Sequence, residues 1–186
     1  MIKLKYSSLA KFFTSHEMSS KIIGASDAIP FETLFVYLEE EEKDPILQIR
    51  ITRQELDSSD LDMGYQPNPN GYYHLQFTLP INTVVADKAV GEVGRFIILV
   101  NRLSTLPGFE FDEVSRSVYY RYATLVPGKE IDPYLLISIT GTILLFITTF
   151  ESYLKKLAAG EMNFSEVIKE FQQMEELQNI TKSKTI

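Results

Sequence analysis

From Ile46 to Gln54 apolar and polar side chains alternate, with Leu47, Ile49 and Ile51 on one side and Gln48, Arg50 and Thr52 on the other. A period of two predicts a half-buried strand. The same alternation returns in Tyr72–Pro80, where Tyr73, Leu75, Phe77 and Leu79 share a face, and the aromatic and branched run Phe31–Glu40 predicts a strand ahead of both. The acidic stretch "EEEEKDP" reads as a solvated turn between the first two strands. A long polar loop, "ELDSSDLDMGYQPNPNG", precedes the third and ends in Asn70-Gly71, a pair suited to positive φ. Three strands in succession make an antiparallel meander.

At Asn82 the period changes. Asn82 is a suitable helix cap, and Val85, Ala89, Val93, Phe96, Val100 and Leu103 follow at spacings of three and four, a helical stripe. Gly91 and Gly94 interrupt it, at about 1 kcal/mol each relative to alanine. Their presence predicts that another backbone approaches this helix closely. Pro107-Gly108 breaks the pattern, and two further strands follow: Phe109 and Phe111 alternate in one, Val118, Tyr120 and Tyr122 in the other, with "DEVSRS" as the turn. Asp132-Pro133 supplies a cap and a first helical residue for a long helix running to about Ala158 and stopping near Gly160. A short helix from about Ser7 to Met18 and an amphipathic one from Asn163 to Asn179 complete the chain. The order α-β-β-β-α-β-β-α-α predicts an α+β fold: an antiparallel five-stranded sheet with helices packed mainly on one face. Residues 1–162 form a single domain in this reading, and 163–186 a C-terminal helix with a loose tail.

Pro133–Phe150 contains no charged side chain. Its length is at the lower bound for a membrane span, but Ser138, Thr140, Gly141, Thr142, Thr148 and Thr149 dilute its apolarity. Burial inside a protein is therefore expected, with a single-pass span through 133–150 as an alternative. A helix apolar on all sides needs more cover than one sheet face. The expected cover is neighbouring helices and a second copy of the chain, hence a homodimer; the alternative is that the last helix covers it within one copy.

Composition narrows the classes. The net charge of −7 and a pI near 4.9 argue against nucleic acid as partner. Hydrophobic residues at 45% argue against disorder. The absence of cysteine removes disulfides, thiolate zinc sites and cysteine nucleophiles, and fits a cytoplasmic protein. The first residues show no apolar run of signal-peptide length. Of the two histidines, His16 and His74, the second alternates with the apolar face of its strand and should point to solvent. There is no Gly-x-Ser-x-Gly elbow and no glycine-rich phosphate loop, and "DSSDLDMG" fails the EF-hand pattern because Leu61 stands at position five, where an oxygen ligand belongs, and Asp62 at position six, where glycine belongs. No enzyme activity, cofactor or metal is expected. Tyr72, Tyr73, Tyr119, Tyr120 and Tyr122 crowd two strands, and alternation sends one set to the core and the other outward, where tyrosine suits an interface. Strand edges offer a further route to a partner.

"LVNRLSTLPGFEFDEVSRSVYYRYATLVPG" (Leu99–Gly128) resembles the central signature of the YbjN-like proteins, which share the fold of the class I type III secretion chaperones. The features that carry it are Asn101 at a helix end, Leu106-Pro107, the aromatics Phe109 and Phe111, Asp112 in an acidic turn, and Arg121 in the next strand. The resemblance spans about Glu32 to Ala158. It implies a helix-on-sheet domain, often dimeric, that binds extended segments of protein partners or acts in bacterial regulation, and it implies no catalytic residues. A small ligand held between sheet and long helix is the alternative function. The candidate protein-interaction or dimer surface comprises Gly91, Gly94, Tyr119, Tyr120, Tyr122, Ile139, Ile143, Phe146 and Phe150.

Overall fold

The computed structural model describes residues 1–27, 29–38, 46–54, 71–104, 106 and 108–183. The polar loop containing Asp57–Gly64, the Glu39–Glu42 turn, Asn70 and Pro107 lie outside them.

The fold is α+β. Its main sheet is antiparallel and has six strands, β2 (Ser20–Ile23), β3 (Thr33–Tyr37), β4 (Ile46–Gln54), β5 (Tyr72–Val84), β6 (Phe109–Asp112) and β7 (Ser117–Pro127), in the order β2-β3-β4-β5-β7-β6. A separate pair joins β1 (Ile2–Lys3) to β8 (Glu130–Ile131). One face of the main sheet carries Leu34, Val36, Leu47, Ile49, Leu75, Phe77, Leu79 and Tyr120, all fully buried. Helix α1 (Tyr6–Thr14) lies against β2 and β3, α2 (Val90–Leu103) against β6, and α3 (Pro133–Ala159) against β5. Helix α4 (Phe164–Ser183) packs on α2 instead of the sheet, and buries Val167 in the common core.

The expected architecture needs two corrections. The sheet has six strands where five were expected, and the helices are not all on one face. The extra strand is β2. Lys21 and Ile22 are exposed on it, so it carries no alternation of its own. It exists because β3 offers it a ladder, Ser20↔Val36 through Ile23↔Thr33, and tertiary pairing overrides a weak local signal.

The second helix begins at Val90, not near Asn82. Strand β5 runs through Pro80 to Val84, pairing with β7 as far as Ser117. Proline is tolerated there because its nitrogen points toward β4, whose ladder ends at the Gln48↔Thr78 pair. A turn of 3-10 helix, Asp87–Ala89, then leads into α2.

The long helix is as the sequence predicts. Asp132 Oδ1 accepts from the Tyr134 amide at 2.7 Å, Pro133 occupies the first turn, and Gly160 ends the helix in the left-handed region at φ 71°. The positive φ is what calls for glycine at this stop, and the end of the Lys88 side chain packs beside it.

Candidate interaction surface

Helix α3 meets the sheet along one stripe. Leu136, Ile139, Ile143, Ile147 and Leu154 recur at spacings of three, four and seven, and all are buried. The opposite side and parts of both flanks are bare. Tyr134 is 78% exposed, Leu145 63%, Leu135 46% and Ile137 41%. Only 28% of the helix's most apolar eighteen-residue window is buried. The alternative, that the last helix covers this segment within one copy, is met only at one end: α4 reaches it near its C-terminal half, where Phe171 meets Phe150 and Tyr153, with ring centroids 6.3 and 5.3 Å apart.

Three threonine hydroxyls on the bare face are bonded within the helix. Thr142 donates to the Ser138 carbonyl at 2.8 Å, Thr148 to Leu144 at 3.0 Å and Thr149 to Leu145 at 2.6 Å. These three hydroxyls are satisfied inside the helix, so covering them would not strand a polar group. Gly141 sits at its middle, with no atom within 4 Å of where its Cβ would be.

The sequence-derived surface set splits accordingly. Tyr120, Ile139 and Ile143 are core residues and belong to no surface: alternation turns Tyr120 inward, and the two isoleucines form the stripe against the sheet. Gly91 and Gly94 face open space, so the close backbone approach predicted for them is absent. Phe146 and Phe150 are half-buried in a run of rings joining Tyr120, Phe146, Phe150 and Phe96 at centroid distances of 6.2, 5.6 and 6.1 Å. Tyr122 is half-buried beside Phe77. Tyr119 lies on the other sheet face, where burial raises its phenol pKa. The exposed apolar residues on α3 are Tyr134, Leu135, Ile137 and Leu145, none of them in the predicted set. The uncharged run Pro133–Phe150 gives no phase from which to choose the outer side of the helix. On α2, Ile98 and Leu103 are exposed at 66% and 61%.

Burial also raises the pKa of the Tyr120 phenol. Its buried hydroxyl lies near Ser104, whose own hydroxyl donates to the Leu106 carbonyl. On the polar sheet face Arg121 grips Glu110, with Nε at 2.9 and 3.0 Å from the two carboxylate oxygens. That hydrogen bonding holds the Glu110 carboxyl below its usual range. His74 is exposed, as alternation predicts.

A cleft of about 790 Å³ opens where β3, β4 and β5 meet the middle of α3. Phe35, Leu38, Ile81 and Leu144 make it apolar, while Gln48, Asn82 and the Glu151–Lys155 ion pair give it a polar rim.

By length and composition, α3 is the one helix among the described residues that could cross a membrane. Its buried stripe lies on a sheet with a charged outer face, so spanning would require the helix to leave that sheet. The sequence matches no protein-family model, and no curated protein matches it significantly.

Proposed function

We propose that this chain is a non-enzymatic protein-binding module, of type III secretion chaperone-like or bacterial regulatory kind, and that it works in the cytoplasm as a homodimer paired through the outward face of α3. The observation that carries this reading is the uncharged, largely apolar face centred on Gly141. Exposed apolar patches of this kind mark interaction sites. Two copies each carrying −7 repel one another overall. The stretch from Pro133 to Phe150 is where they can meet without burying a charge. In an antiparallel pairing centred between Gly141 and Thr142, Ser138 of one copy falls opposite Leu145 of the other, small against large. A second copy thus fits this face in shape as well as charge.

Native co-purification followed by mass spectrometry tests the protein-binding part. A partner that returns reproducibly with the wild-type chain supports it, and repeated absence of any partner counts against it.

The cleft between the sheet and α3 favours a second reading, a small-ligand domain. Its volume is in the range of small-molecule sites. Thermal-shift screening against metabolites separates the two readings, since a ligand selective for the native state raises Tm.

A further inference from the structure

In a strand paired on both sides, successive residues turn their N–H and C=O groups alternately to one neighbour and then the other. In β7 the even residues face β5: the Gly128 amide donates to the Gly71 carbonyl at 3.0 Å, which fixes the phase. The odd residues face the β6 side: the Arg121 amide donates to the Gly108 carbonyl at 3.0 Å. But β6 pairs β7 only from Ser117 to Tyr120. Beyond Arg121 no strand among the described residues occupies that side. The backbone groups of Ala123 and Leu125 therefore face an open edge. Both residues are exposed, Leu125 at 47%. Pro127 is the next odd residue, and having no N–H it ends the edge without leaving a donor unpaired.

The wall above this edge is apolar. Leu135 and Thr142 fall on the same flank of α3 as Phe146, which packs on Tyr120 of β7. Helix α2 covers that flank lower down, where Phe96 meets Phe150 and Tyr153. Leu135 remains 46% exposed.

We infer that the open half of β7 takes an extended, uncharged segment of a partner protein as an added strand, hydrogen-bonded to Ala123 and Leu125 with alternate apolar side chains against the Leu135 flank of α3. The ligand chemistry follows from the notch. Unpaired strand groups select extended polypeptide backbone. The free edge is only a few residues long, closed by Gly108 at one end and Pro127 at the other. A seam so short is far below the roughly 1,200 Å² that stable dimers bury, which favours a short captured segment over a second copy. This inference rests on the protein-binding reading but not on the α3 dimer.

The test uses amide hydrogen exchange by NMR on the full chain carrying Leu145→Lys, which keeps the α3 face out of the measurement. The probe is a capped synthetic peptide of alternating valine and threonine, about eight residues long. The free protein should exchange the Ala123 and Leu125 amides fast and the Tyr122 and Thr124 amides slowly. Saturating peptide should slow the first pair about tenfold or more. Leu125→Pro should abolish that protection and leave the protein folded, because the amide it removes serves no internal bond. Thr124→Pro should disrupt folding, because its amide serves the β5 ladder. Slow exchange at Ala123 and Leu125 in the free protein, protection that grows with protein concentration alone, or no effect of the peptide would each overturn the inference. The α3 dimer, measured separately by its mass, can fail without affecting any of these outcomes.

Discussion

The side chain of Asn101 both donates to the Phe109 carbonyl and accepts from the Phe109 amide, at 2.9 Å in each direction. One residue thereby clips the last turn of α2 to the first residue of β6, and it satisfies both backbone groups of a residue that is 1% exposed. Gly108 lies against the same amide oxygen, so that an added Cβ would collide with it.

Removing the clip should therefore be costly. Asn101→Ala should destabilise by about 2 kcal/mol, two hydrogen bonds at about 1 kcal/mol each. Gly108→Ala should also lower stability, by displacing Asn101. Because both act through one side chain, the double variant should lose less than the sum. Urea denaturation of the three variants checks this.

Tyr6 performs a similar service at the other end of the sheet. Its hydroxyl donates to the Glu32 carbonyl at 2.7 Å and accepts from the Ile51 amide at 3.0 Å, beyond the last β3–β4 pair, Leu34↔Ile49. Burial raises its pKa. Tyr6→Phe should cost about 1 kcal/mol, since the Ile51 amide loses its partner while the ring stays. The same denaturation measurement reads it.

The Glu110–Arg121 pair gives a pH dependence. The folded-state pKa of Glu110 lies below its ordinary 4.5, with the Arg121 hydrogen bond as the largest cause. The pair's contribution is therefore present above that value and lost as pH falls through the lower, folded one. Both side chains are about a third or more exposed, so the contribution at neutral pH should be modest, about 0.5 kcal/mol. Glu110→Gln should show that deficit at pH 7 and approach the wild type in acid. A constant deficit from pH 7 down to strongly acidic solution would contradict the assignment.

Much of this fold is legible in the sequence, and what is not has physical causes. Local signals that agree with tertiary demand are readable: the Asp132-Pro133 start and Gly160 stop of α3, the alternation in β4, and the Phe109 and Val118 strands appear as expected. Strand β2 is missed because only its pairing with β3 makes it a strand. The region after Asn82 misleads because Val85 and Ala89 are buried whether they belong to a helix or not. The interaction surface is legible only in part. The uncharged run locates the helix, but with apolar residues on every side it cannot show that Ile139 and Ile143 face the sheet while Leu145 faces out.

In the proposed dimer a second copy covers that outer face, and light scattering across a wide range of concentrations reads whether it does. The wild type should have a mass of twice 21.3 kDa, and Leu145→Lys, whose side chain is 63% exposed in the isolated chain, should give a folded monomer whose Tm does not depend on protein concentration. A wild-type chain that stays at the single-copy mass at every concentration, or a dimer that the lysine leaves intact, would contradict that pairing.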